Sequence, residues 1–391
     1  MEMDEIMLRF PHLIEQVLQK LDNKGLLKSR EIARSWQIFI DRKRYPWLRI
    51  VNIPTILDAV MLSNHYQKPG WLYTSSVKMS YQHLAAKHGQ IGMFKVILDS
   101  ETDLVDGSIS LHVACHYGHV KIIEMLLKKS DELKIDLSRK VKPGNTAFHS
   151  ACIGGSSELV ELIMKNTHKL KIDLNDRNDY LKTGFDYACA HGHLDVVKML
   201  IKNSKSMNIQ LNTLEEHNRN AFHLACLWNR LEVAKILMEE STRLKLDLNA
   251  QDQWGCTAFY YACKEGLTSI VDKLLDQSEF DFSLKSENGE TGFHIACVNG
   301  QTNIVQILID KLESIDIDIT AQNRWGCTGY HLACSYGRIN IVEMLIDKSE
   351  YLKLDLTAED DQGRTGFQLA VTYNKLDVID MIKSKMPSLV V

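Results

Sequence analysis

Residues 326–348 read GCTGYHLACSYGRINIVEMLIDK, and this stretch decides the fold. Thr328 can cap a helix that carries Tyr330, His331, Ala333 and Cys334 and stops at Gly337. Ile339, Val342, Leu345 and Ile346 then line one side of a second helix. Two short antiparallel helices result. His331 and Cys334 lie three residues apart and so share a helix face. The same spacing recurs at His112/Cys115, His149/Cys152, His223/Cys226 and His294/Cys297.

The alanines before these cysteines, with their equivalents, are Ala85, Ala114, Ala151, Ala188, Ala225, Ala262, Ala296, Ala333 and Ala370, and successive gaps are 29, 37, 37, 37, 37, 34, 37 and 37 residues. So regular a period means stacked supersecondary units, none able to bury its apolar face alone. After the second helix, YLKLDLTAEDDQG (residues 351–363) alternates Leu352, Leu354 and Leu356 with Lys353 and Asp355, which predicts an extended arm ending in a tight turn.

This order of helix, helix and turn resembles the ankyrin repeat, a unit of about 33 residues with a T-P-L-H-x-A signature. GNTAFHSAC, GCTAFYYAC, GETGFHIAC, GCTGYHLAC and GRTGFQLAV carry the likeness, with Ala or Gly for the Pro and Phe or Tyr for the Leu. Four added residues fall in segments such as KLKIDLN (169–175) and RLKLDLN (243–249). The resemblance implies an all-α repeat solenoid of about nine repeats over residues 80–391. It also implies that the recurrent histidine ties the turn of its own unit to the neighbour by hydrogen bonds.

A shared metal centre is a poor alternative. Stacked helices lie about 8–10 Å apart, whereas the ligands of one zinc each lie about 2 Å from it. One His/Cys pair supplies two ligands where a structural zinc site takes four. The histidine position is also filled by Asp186, Tyr260 and Gln368, which form no consistent ligand set. The cysteine is then a small buried packing residue. Cys256 and Cys327 sit nearer the turn. No phosphate loop, His-Glu-x-x-His helix or nucleophile elbow is present. The expectation is a non-catalytic chain without cofactor or metal.

Composition agrees. Of 391 residues 45% are apolar, enough for a packed interior. No run of 18 apolar residues occurs, and Glu2, Asp4 and Glu5 stand where a signal peptide needs positive charge. A soluble intracellular protein is expected, in the cytoplasm or nucleus and monomeric outside its complexes, without a membrane partner. Nine cysteines, seven of them at one repeated position, are read as reduced thiols. Residues 51–391 hold 36 Lys and Arg against 43 Asp and Glu, which argues against a nucleic-acid partner.

The first fifty residues lack the repeat signature. Pro11 can open a helix with Leu13, Ile14, Val17, Leu18 and Leu21 at helical spacing, broken by residues 22–25. A second stretch carries Leu26, Leu27, Ile32, Trp36, Phe39 and Ile40. Two helices this short need something to pack on. Their pattern resembles the F-box, matched at Pro11, Leu13, Leu18, Leu21, Asp22, Leu26, Leu27, Arg30, Ile32 and Trp36, with departures at Phe10, Ala33 and Ser35. That likeness implies docking on the Skp-family adaptor of a cullin-RING ubiquitin ligase through Pro11, Leu13, Ile14, Leu18, Leu21, Leu26, Leu27, Ile32 and Trp36. The other reading is a helical cap sealing the end of the array. The expected division is an F-box-like domain at 1–50, a connector at 51–79 and the array at 80–391.

Recognition should use exposed positions that vary between copies. Turn tips carry Tyr180, His217, Trp254, Asn288, Trp325 and Gln362; ends of first helices carry Tyr117, His191, Trp228, Tyr336 and Tyr373. Aromatics and Arg dominate interface energies, which singles out Tyr117, Trp228, Trp254, Arg324, Trp325 and Tyr336 as target-binding anchors on the concave face of an ankyrin-like stack. Against this, Trp254 and Trp325 could pack on the neighbouring turn. The functional expectation is a substrate receptor that docks the adaptor at one end and an unidentified target protein on the array. The alternative is an ankyrin scaffold or inhibitor with no ligase link.

Overall fold

The computed structural model describes residues 81–99, 107–277 and 280–389, which fall into two compact units that part between Asp173 and Leu174. The helices expected within residues 10–40 and the connector at 51–79 lie outside the described residues. The first unit contains the helix pairs Tyr81–Lys87 with Ile91–Asp99, Gly107–Tyr117 with Val120–Lys129, and Ala147–Gly154 with Ser157–Lys165. The second contains six: Gly184–His191 with Leu194–Asn203, Ala221–Leu227 with Leu231–Glu239, Ala258–Glu265 with Thr268–Leu275, Gly292–Asn299 with Thr302–Asp310, Gly329–Ser335 with Ile339–Asp347, and Gly366–Thr372 with Leu376–Lys385. Among the described residues the architecture is an all-helical repeat without strands.

From Ala147–Gly154 onward, each first helix opens on a capping residue. Thr328 accepts from the His331 amide, and the His331 ring accepts from the Thr328 amide, so two of the orphan donors at the helix start are satisfied reciprocally. Thr146, Thr183, Thr291 and Thr365 do the same with His149, Asp186, His294 and Gln368. The glycines that replace the expected Pro have a steric cause. A Cβ at Gly329 would collide with the Phe293 ring and lie 3.1 Å from the Cys297 Sγ of the preceding repeat. Gly292 faces Phe259 and Cys263 in the same way, and Gly366 faces Tyr330 and Cys334. The bulky Phe or Tyr of one repeat therefore fixes a small residue at the start of the next helix.

The second helices bury one stripe each, for example Ile304, Val305, Leu308 and Ile309, or Ile341, Val342, Leu345 and Ile346. In the last repeat the position of Ile346 is taken by Lys383, which is exposed, and that of Cys334 by Val371, also exposed. This repeat thus exposes two positions that the preceding repeat buries.

One expectation is corrected. The segment after the second helix is not extended from its start: Ser349–Leu352 forms a single helical turn, closed by Lys353 at φ 51°. Thr167–Leu170 and Ser241–Leu244 repeat this device, with Lys171 and Lys245 at φ 51° and 53°. Leu352 and Leu356 are still buried. A left-handed lysine resets the chain direction here, and apolar alternation alone does not reveal it.

Candidate functional site

In the second unit, the turn that precedes a first helix is organised by a polar side chain. Asn323 Oδ1 accepts from the amides of Trp325 and Cys327, and the Asn323 amide donates to the Cys327 carbonyl. Asp252 and Asp360 organise their turns alike. In the second unit these tips are joined by backbone hydrogen bonds: the amides of Glu216, Gln253, Glu287, Arg324 and Asp361 donate to the carbonyls of Tyr180, His217, Trp254, Asn288 and Trp325, at 3.1, 2.9, 2.8, 2.9 and 3.1 Å. Six tips therefore form one row whose backbone is fixed by the stack. Side chains at the second and third positions of each turn project from a rigid base.

Beneath the row, His223, His294 and His331 connect their helices to the next turn. The Thr291 amide and hydroxyl lie 3.2 and 2.8 Å from His294 Nδ1, and Nε2 lies 3.2 Å from the Cys327 carbonyl of the next turn. His331 repeats this with Thr328 and the Ala358 carbonyl at 2.9 Å. A carbonyl only accepts, so Nε2 carries the proton and Nδ1 accepts. Both nitrogens are committed, and neither has a lone pair to spare for a metal. Burial pushes the pKa of His223 and His294 down to about 4, which keeps these rings neutral at pH 7. All nine cysteines are buried free thiols. Burial raises the thiols of Cys115, Cys152, Cys226, Cys263 and Cys297 far above their ordinary range, and those of Cys256 and Cys327 to about 12 and about 11. Thiolate chemistry has no foothold in such surroundings.

A second set of links joins the far ends of the first helices. Arg230 Nε donates to the Ala190 carbonyl at 2.9 Å, Gln301 Nε2 to the Lys264 carbonyl at 2.9 Å, and Arg338 Nε to the Val298 carbonyl at 2.8 Å. On the second helices, Lys311 meets Asp276 and Asp272, and Lys385 meets Asp347 and Glu343. These pairs are solvent-exposed, so water and salt screen them and they add little to stability.

The anchors expected on the array are all exposed: Tyr117, Trp228, Trp254, Trp325 and Tyr336 show 40–53% of their surface, and Arg324 is exposed as well. Those of the second unit do not form one patch. Trp254 and Trp325 stand two turns apart on the row of tips, whereas Trp228 and Tyr336 cap the ends of two first helices, and Tyr117 belongs to the other unit. Trp254 also packs on the preceding turn, with the His217 ring centroid at 4.9 Å and the Arg219 guanidinium 5.6 Å from its ring. Packing and exposure therefore coexist at Trp254. The Arg324 guanidinium stacks over the Trp325 ring, 4.6 Å from its centroid. The adaptor-docking residues Pro11 to Trp36 lie outside the described residues.

Sequence reading missed the buried polar pairs behind the tips. Glu215 accepts from Arg219 at 2.9 and 3.3 Å and from the His217 amide, and this holds its carboxyl below the ordinary range despite burial. Tyr261 donates to Asp252 at 2.6 Å, and Tyr260, in the repeat where histidine is replaced, donates to Glu290 at 3.0 Å. The ligand atoms of Glu215, Glu216 and His217 lie within 4.8 Å of one another, yet Glu215 already spends both oxygens on Arg219. That grouping is part of the turn rather than a metal centre. Only the position of Glu215 four residues before Arg219 hinted at the pair.

No helix among the described residues is long and apolar enough to cross a membrane. Compared with known families, the chain matches the model for ankyrin repeats (3 copies) at residues 82–178, 170–247 and 242–323. No F-box domain is detected, and a search of curated proteins finds no match.

Proposed function

We infer the function from the premise those matches establish: this chain belongs to the ankyrin-repeat proteins and is a protein–protein interaction module. Its array holds a target protein on the row of turn tips and the adjoining helix ends. The observation that carries this reading is the backbone-bonded row itself, on which Trp254 and Trp325 stay about 40% exposed although each has a cationic partner stacked on it. A rigid base with large aromatic side chains binds at low entropic cost.

The finer reading is a substrate receptor of a cullin-RING ubiquitin ligase, acting in the cytoplasm or nucleus. In it, residues 1–50 dock the Skp-family adaptor through Pro11, Leu13, Ile14, Leu18, Leu21, Leu26, Leu27, Ile32 and Trp36. The array then raises the local concentration of its target beside the ligase without taking part in the chemistry. Support comes from the order of Pro, double Leu and Trp in the sequence. The second reading, an ankyrin scaffold or inhibitor whose first helices only cap the array, draws on the departures at Phe10, Ala33 and Ser35. Co-purification of the full chain with the adaptor separates the two. The receptor reading expects retention, lost on Leu21→Asp or Trp36→Ala; no retention by the parent chain leaves the scaffold.

A further inference from the structure

The six tips of the second unit differ at two positions, and the differences alternate. At the residue just before the outermost one, four turns carry a carboxylate: Asp179, Glu216, Glu287 and Asp361, and the amides of the last three bond the preceding tip. All four are exposed, and Glu216 alone is near a basic group, the His217 ring at 3.5 Å. The two turns without a carboxylate there, at Gln253 and Arg324, are the two that carry Trp254 and Trp325 at the next residue. Reading along the row, the tips present acid, acid, indole, acid, indole, acid.

The spacing of this series fits one kind of ligand. Stacked repeats lie about 8–10 Å apart. An extended segment in the polyproline II conformation rises about 3.1 Å per residue with three residues per turn, so every third side chain lies on one face, opposite a successive tip. We propose that the row of turn tips binds an extended basic polypeptide segment in which Lys or Arg recurs at three-residue spacing, interrupted by large apolar residues opposite Trp254 and Trp325. Carboxylates held on a backbone-bonded base meet cations without reorganising, and the rim position makes their contribution dependent on salt. Arg219 and Arg324 already occupy one face of each indole, which leaves apolar ring surface for an aliphatic side chain rather than for a further cation.

This rests on the reading of the array as a protein-binding surface, and the test keeps the two apart. The full chain is titrated, by fluorescence anisotropy, into a labelled 16-residue peptide with Lys at positions 1, 4, 10 and 16, Leu at 7 and 13, and Ser or Gly between; the reversed order covers the opposite chain direction. A control of the same composition spaces the six anchors two residues apart. The expected result is binding of one of the two orders at least about tenfold tighter than the control, weakened about tenfold by Glu216→Lys with Glu287→Lys and again by raising salt from about 50 to 300 mM. Circular dichroism of the variant checks its fold, since both side chains are exposed and only their amides bond the row. Equal binding of the control, unchanged binding by the Lys variant, or preference for an acidic peptide of the same register overturns the inference. If a physiological target is lost on Trp254→Ala with Trp325→Ala but held unchanged by the Lys variant, the surface stands and the basic ligand falls. If neither variant matters, both fall.

Discussion

Acidification should remove stability from this array through its buried imidazoles. His223 and His294 are held near a pKa of about 4 by burial, against about 6.5 for an exposed histidine. Between these values the unfolded chain binds more protons than the folded one, so stability falls as pH falls. At 1.36 kcal/mol per pH unit per group, each ring withdraws about 2 kcal/mol by pH 5 and about 3 kcal/mol by pH 4. Asp186 and Glu290 act in the opposite direction, because burial raises their pKa and the folded state then holds the extra proton. They are common to parent and variant, so a comparison cancels them. The perturbation is His294→Gln. Gln368 shows that glutamine serves as the cap at this position, its Oε1 accepting from the Thr365 amide at 3.0 Å. The variant forfeits the bond to the Cys327 carbonyl and should be about 1 kcal/mol less stable at pH 7. Its loss of stability between pH 6 and 4.5 should be shallower than the parent's by about 1 kcal/mol per pH unit. Urea denaturation at several pH values, followed by far-UV circular dichroism, measures both. Parallel pH slopes would refute the assignment of a neutral, desolvated ring.

Asp186→His should raise stability at pH 7 by about 1–3 kcal/mol, because Asp186 is buried with Oδ1 lacking a hydrogen-bond partner and its pKa raised to about 6; the gain should shrink below pH 6 as the parent carboxyl protonates. Gly329→Ala should cost about 1–3 kcal/mol by driving a methyl group into the Phe293 ring, and Phe293→Leu in the same chain should recover part of it, both read by thermal melting. Thr328→Ala should cost about 1 kcal/mol through the lost cap, measured by urea denaturation. Ellman's reagent should label none of the nine thiols in the native chain and all of them in denaturant; a fast-reacting thiol would contradict the packing role of the cysteines.

The repeat could be read from the sequence because its cause is local and recurs. Thr at the cap, His at the third helical position and a Gly or Ala between them each answer a constraint that returns in most copies. The histidine link to the next turn was likewise implied by the resemblance and appears at His294 and His331. The single helical turn at Ser349–Leu352 escaped because a left-handed Lys353 reads as part of an alternating strand. The pairing of Gly329 with Phe293 escaped because it is a contact between copies, invisible within either one. At the surface, the sequence separated the tip indoles from the helix-end aromatics and offered packing on the neighbouring turn as an alternative for Trp254, but not that His217 and Arg219 are the residues that brace it. The four tip carboxylates pass unnoticed one at a time and acquire meaning only when the backbone row aligns them.

The claim on which the account turns is that partners are held on the row of turn tips. A photoreactive phenylalanine analogue placed at Trp325 of the full chain, and separately at Lys348 just past the second helix Ile339–Asp347, tests this by cross-linking mass spectrometry in cells. Adducts to one recurrent protein from position 325 and none from position 348 are predicted; the same protein captured from both, or from 348 alone, would contradict it.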